Sequence, residues 1–337
     1  MSTAISTSSS TSTRWRDVPR AAAFSGLAWL ALGFWRGEWL AHTLLGFAVL
    51  SLVPLGLSLT VEGGYPVDAG ERAREELPFF YRLALLLLPT LLLGGFFVFS
   101  GLVGGLPSVM SAGAIGMFST VVGFYGLQRT IRRGLRPRTE LAVDLGCMLL
   151  PIGAVWLMAS RLGVQLLGFH EPTILLTAEH FFHAGFGAPV LFGVLGRHLG
   201  PSAAIRKAHG ASTALVCLAI PLTAVGIATS RVVEVPAALL LAAGMLVGAA
   251  CIFSVASAHR QSAPAAAAAL AISGLSLGVS MTFAAVWAVT GSGSQATAGS
   301  AMSSLDEMLR WHGAVNSFGF LGAGLVGLTL LEMKKGR

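Results

Sequence analysis

The chain has 337 residues, 54% of them apolar and only 11% charged, whereas charged residues make up about 25% of an ordinary soluble domain. A mean hydropathy of +0.76 with 42 glycines points to a polytopic helical membrane protein. The net charge of +7 does not imply a nucleic-acid partner. No soluble stretch is long enough to fold into a reader, and an excess of basic residues is what cytoplasmic loops carry.

Residues 1–13 are mostly Ser and Thr with almost nothing apolar to bury, so residues 1–20 are expected to form a disordered tail. Arg14, Arg16 and Arg20 then precede an apolar run, as in a secretory signal. Many more apolar segments follow, and no small-x-small cleavage site precedes Arg36, so the run reads as a retained first helix. A spanning helix needs about 20 mostly apolar residues. The segments that qualify are 21–35, 40–61, 79–102, 106–127, 141–160, 174–196, 210–230, 234–257, 264–290 and 312–333. The expected fold is therefore all-α, a single bundle of about ten spanning helices over 21–333 with a basic tail at 334–337.

An even helix number puts both termini on one side. That side collects 18 of the 22 Lys and Arg, and the other keeps only Arg36, Arg161, Arg231 and Arg310. The asymmetry predicts cytoplasmic termini and a multi-pass protein of a bacterial plasma membrane. Trp35, Trp39, Trp156, Trp287 and Trp311 all fall near the opposite boundary, where amphipathic rings settle. The loop from Arg129 to Arg138 reads first as a topology signal and second as a surface for anionic lipid. Cys147, Cys217 and Cys251 lie in apolar stretches with no metal or disulfide spacing. The piece from Ser303 to Trp311 is amphipathic and is expected to lie on the membrane surface. Gly319, Gly322, Gly324 and Gly327 let helix ten approach its neighbours closely, which predicts a central position for it.

Ionisable groups inside a bilayer are costly and mark sites or partners. Five of the eight His fall near the outer boundary. Glu179 and His183 are four apart on helix six, with His180 between them, so one stripe carries a carboxylate and imidazoles. His312 and Asn316 have the same spacing on helix ten, and Glu38 and His42 have it on helix two. Arg161, His170 and Glu171 come out at a similar depth. Each has a bland reading, in which an interfacial side chain bonds locally. Asp144 and Glu62 lie near the inner face, where pairing with the Arg-rich loop is expected.

These motifs resemble the YndJ-like membrane proteins of bacteria. The resemblance is carried by Thr177-Ala178, by His180-Phe181-Phe182-His183-Ala184-Gly185-Phe186, by Met308 to Phe320 with His312-Gly313 and Asn316, and by the run Leu52 to Leu57. It implies a membrane bundle with a site at these residues, and adds little on the reaction.

Two functional classes remain open from the residues. The first is a membrane enzyme doing cofactor-free acid–base chemistry, a cyclisation, isomerisation or dehydration of a lipid-like or polyketide-like small molecule. Glu179, His180, His183, His312 and Asn316 would then be catalytic, and Glu38, His42, Arg161 and Arg310 would bind substrate. The second is a small-molecule transporter using the same His and Glu as a proton relay. A metal or haem site built on His42, His180, His183 and His312, and a purely structural role, are the further readings.

Overall fold

The computed structural model describes residues 11–36, 40–61, 77–290 and 305–335. We number its ten helices α1 (Thr11–Arg36), α2 (Leu40–Leu59), α3 (Phe79–Phe99), α4 (Gly105–Arg133), α5 (Arg138–Leu162), α6 (173–195), α7 (Ala203–Thr229), α8 (Arg231–His259), α9 (Pro264–Thr290) and α10 (305–335). All except α1 and α6 are long and apolar enough to cross a membrane. α6 carries polar residues through its first half, and α1 contains its own arginines and Asp17. The outward faces bear large apolar side chains such as Leu86, Leu93, Leu218 and Leu275, each more than half exposed. On a soluble protein such a surface would drive aggregation; in a bilayer it meets hydrocarbon.

Two boundaries differ from the sequence reading. α1 begins at Thr11, so residues 11–20 are helical rather than part of a tail, and only 1–10 lie outside the described residues at that end. The piece ending at Trp311 is not a separate surface helix. From Leu305 it runs into α10, because Leu309 is buried against Ala41 and Leu44 of α2, with Leu176 of α6 beside them.

Consecutive helices pack as antiparallel neighbours from α3 to α5 and from α7 to α9. α2, α6 and α10 break this order and meet at the centre. Glycines set the distances there. A Cβ built at Gly324 would lie 2.5 Å from Leu191 Cδ1 and 2.7 Å from Ser273 Oγ, and one at Gly327 would lie 3.1 Å from the Ala266 carbonyl. α10 is therefore seated directly against α6 and α9, as its glycines predict. Gly324→Leu is expected to destabilise by about 1–3 kcal/mol through overpacking, read as a lower melting temperature of the purified protein.

α2, α6 and α10 share a second peculiarity. Each contains a π-helical stretch, Ala48–Leu52 in α2, Phe181–Gly187 in α6 and Leu309–Gly322 in α10, and the three stretches touch one another pairwise. π-helix is rare, occurs mostly as single turns, and concentrates at functional sites.

The opposite end of the bundle is held by ions. Arg129 Nε donates to Asp144 Oδ1 and its Nη2 to Glu140 Oε2, both at 2.6 Å. Arg197 binds Glu140 through two bonds of 2.7 and 3.0 Å. Arg133 and Thr130 also reach Asp144. Arg129 and Arg197 further donate to the carbonyls of Thr60 and Leu59, the unpaired acceptors at the C-terminus of α2. One network thus ties α2, α4, α5 and the end of α6. Asp144 pairs with the Arg-rich segment as expected, and Glu62 lies outside the described residues.

Candidate functional site

The upper turns of α6 pass beneath a small apolar cluster of Ala41, Leu44 and Leu309. Glu179 sits there, only 8% exposed. A Cβ added to Gly313 of α10 would lie 3.7 Å from Glu179 Oε1, so the carboxyl group is aimed across the α6–α10 interface. Among the described residues the carboxyl group has no hydrogen-bond or ion-pair partner. Burying an unpartnered carboxyl group costs free energy.

Four residues on, His183 is buried and fixed at both nitrogens. Its Nδ1 lies 2.9 Å from the Glu179 carbonyl and its Nε2 lies 2.8 Å from Ser317 Oγ of α10. A carbonyl only accepts, so Nδ1 carries the proton and Nε2 accepts from the Ser317 hydroxyl. This bond joins the two π stretches directly.

His312 is held in a similar way. Its Nδ1 donates to the Ser280 carbonyl of α9 at 3.2 Å, and the Asn316 amide nitrogen stands 3.4 Å from its Nε2. The Ser280 hydroxyl donates to Asn316 Oδ1 at 2.7 Å. The amide is thereby oriented with its N–H groups toward the imidazole. Ser280, Asn316 and His312 form a closed ring of donors and acceptors between α9 and α10.

His180 differs from both. Its side chain is exposed, makes no hydrogen bond among the described residues, and lies within electrostatic reach of His183 and His312. His183 and His312 are likewise within reach of each other. Residues 312–316 of α10 and 283–287 of α9 are only partly buried. The structure therefore brings Glu179, His180, His183, His312 and Asn316 together.

The residues expected at the rim are placed differently. His42 is half-buried, with Arg161 and Glu171 as its charged neighbours. The Arg161 guanidinium lies 6.0 Å from the Phe99 ring centre. Glu171 accepts from the Leu175 N–H at 3.2 Å and so caps the start of α6. His170 and Arg310 are exposed, and Glu38 lies outside the described residues. Trp311 is exposed and stacks on Phe283, with ring centres 5.7 Å apart.

Two members of the cluster, Ser317 and Ser280, escaped the sequence reading. An α-helical spacing pairs His312 with Asn316. The i→i+5 bonding of a π-helix also brings Ser317 toward that face. Among the described residues no group of three or more His, Cys, Asp or Glu side chains is arranged to hold a metal ion.

A second polar cleft lies at the other end of the same helices. His198, which follows α6, is 2.7 Å from Glu332 of α10, and His259 stands across from it with ring centres 6.1 Å apart. Ser262, Leu331 and Lys334 complete a cleft of about 270 Å³. Between the two ends the core is packed by Phe192, Phe320, Leu325 and Leu328, none more than 2% exposed.

No solved structure matches this chain. A curated relative, the "Uncharacterized membrane protein YndJ" of Bacillus subtilis (strain 168), is 24% identical over 218 residues, 65% of this chain. The chain spans 38% of that relative's length. The family described as "YndJ-like protein" matches residues 43–320, which include the π-helical stretches of α2 and α6, that of α10 as far as Phe320, and every residue of the α6–α9–α10 cluster, and the chain belongs to that family.

Proposed function

We propose that the chain is an integral membrane enzyme whose α6–α10 interface performs cofactor-free acid–base chemistry on an apolar small molecule. The observation that carries this reading is a division of labour. His183, His312 and Asn316 are fixed by hydrogen bonds, whereas Glu179 and His180 are uncommitted. A proton-transfer site needs both kinds of group, movable protons and a rigid frame that orients the substrate. Glu179 or His180 would act as the acid–base group. The second amide hydrogen of Asn316 is available to hold a developing oxyanion. The apolar surroundings suit a lipid-like or polyketide-like molecule that enters from the bilayer. Cyclisation, isomerisation or dehydration needs nothing beyond these groups.

A second reading, a transporter, is favoured by one observation: the outer cluster and the inner cleft occupy opposite ends of the same α6–α10 pair. The tightly packed Phe192–Phe320 layer between them weighs against it. Both readings take the termini to be cytoplasmic, on the charge asymmetry, and the membrane to be a bacterial plasma membrane.

The test is comparative mass spectrometry of apolar extracts from cells expressing wild type, Glu179→Gln, His180→Ala or empty vector. A compound that is rearranged or loses water only with wild type supports the enzyme. Extracts that stay identical, together with counterflow of a small molecule in proteoliposomes, would establish the transporter instead.

A further inference from the structure

The five arginines between Arg129 and Arg138 are not equivalent. Arg129 and Arg133 turn into the bundle and are taken up by Glu140 and Asp144. Arg132, Arg136 and Arg138 remain exposed, and no ion pair satisfies them among the described residues. Arg133 also donates to the carbonyls of Arg136 and Pro137, which holds the turn that presents them. Ile131 and Leu135, 73% and 67% exposed, alternate with these arginines. A mere topology signal requires charge alone. Guanidinium groups interleaved with exposed aliphatic side chains match the boundary between lipid headgroups and acyl chains.

Next to this turn, α4 and α5 leave an open groove of about 200 Å³ lined by Thr120, Gly123, Phe124, Leu127, Met148 and Pro151. Its floor is set by the contact of Gly123 with Pro151, where an added Cβ would lie 2.7 Å from the proline ring. Phe124 and Leu127 are 50% and 43% exposed along it. Leu127 and Arg132 are five residues apart on one helix, a rise of about 7.5 Å. The two positions also differ by about 140° around the axis, so Arg132 approaches the end of the groove from its side. The turn that carries the exposed Arg132, Arg136 and Arg138 therefore lies beyond the Leu127 end of the groove.

We propose that this α4–α5 groove and the Arg132–Arg138 turn form a binding site for an anionic phospholipid. One acyl chain lies along Phe124 and Leu127, and the phosphodiester is held by Arg132, Arg136 and Arg138. The occupant is a lipid rather than a free anion because the groove is almost wholly apolar, and its one hydroxyl, Thr120, already donates to the Gly116 carbonyl. The ion network nearby cannot supply the counter-charge. Its three arginines already exceed its two carboxylates.

The test uses the full-length protein reconstituted in nanodiscs of phosphatidylcholine with phosphatidylglycerol, then released and analysed by native mass spectrometry. Each arginine near an anionic headgroup is worth roughly a factor of five, so retention should favour phosphatidylglycerol by about 100-fold. The triple variant Arg132→Gln, Arg136→Gln, Arg138→Gln should lose most of this preference. Thr120→Phe, which fills the groove and leaves every charge in place, should lose it as well. Thr120 is exposed and bonds only within its own helix, so an unchanged melting temperature is expected of that variant. Equal retention of the two lipids by wild type would overturn the proposal. So would a preference that survives Thr120→Phe, which would reveal general basic attraction, or displacement of the lipid by inorganic phosphate, which would reveal a free-anion site.

Discussion

Glu179→Leu is expected to raise the melting temperature of the purified protein while Glu179→Gln removes its activity. Glu179 is 8% exposed, and its carboxyl group approaches Gly313 and has no partner among the described residues. Replacing an unsatisfied buried polar group by an apolar one of similar size removes a penalty of about 1–3 kcal/mol. For a chain of this size each kcal/mol corresponds to about 2–4 °C. Glutamine keeps the shape but cannot supply or take a proton, and loss of a positioned acid–base group lowers turnover by about 10²–10⁴-fold. Stability gained where function is lost is the signature of a residue kept for its chemistry. A clear fall in melting temperature for Glu179→Leu would instead assign Glu179 a structural role.

The largest loss of stability is expected from Arg129→Ala. Arg129 is 4% exposed and links Asp144 and Glu140, which are 0% and 2% exposed. Removing one partner from a buried ion group leaves uncompensated charge and costs about 3–5 kcal/mol. Arg132→Ala, one helix position outside the network, should change stability by less than about 0.5 kcal/mol. Combining Arg129→Leu with Asp144→Leu should recover much of the loss, because an apolar replacement of the pair as a whole is often neutral. Arg133 would still be left without Asp144, so recovery should be incomplete. Denaturant or thermal unfolding in detergent reads all three. Equal stability of Arg129→Ala and wild type would mean that this end of the bundle is not held by these ions.

Much of this architecture can be read from hydropathy alone. Each of the ten apolar segments becomes a helix, and α9 has the expected limits to the residue. The errors occur where composition and packing disagree. Residues 11–20 are polar yet helical, and the start of α10 looks amphipathic because its apolar side covers α2 instead of lipid headgroups. The helical spacing that pairs Glu179 with His183 and His312 with Asn316 is a local property, and it survives folding. Ser280 and Ser317 carry no such signal. A hydroxyl on a small side chain is ordinary in a membrane helix, and only the π-helical register of α10 and the approach of α9 give these two their partners. His198 and His259 are hidden for a different reason. They are separated by α7 and α8 and meet only after the bundle closes. The π-helical stretches leave no mark in composition.

The convergence of α6 and α10 on one polar cluster supports the whole functional reading, and the His183–Ser317 bond is its most direct expression. A double-mutant cycle of His183→Ala and Ser317→Ala, measured by reversible unfolding, isolates that bond. The account predicts a coupling of about 0.5–1.5 kcal/mol, the net worth of a buried hydrogen bond. Strict additivity of the two substitutions would contradict it, since the imidazole and the hydroxyl would then occupy separate environments.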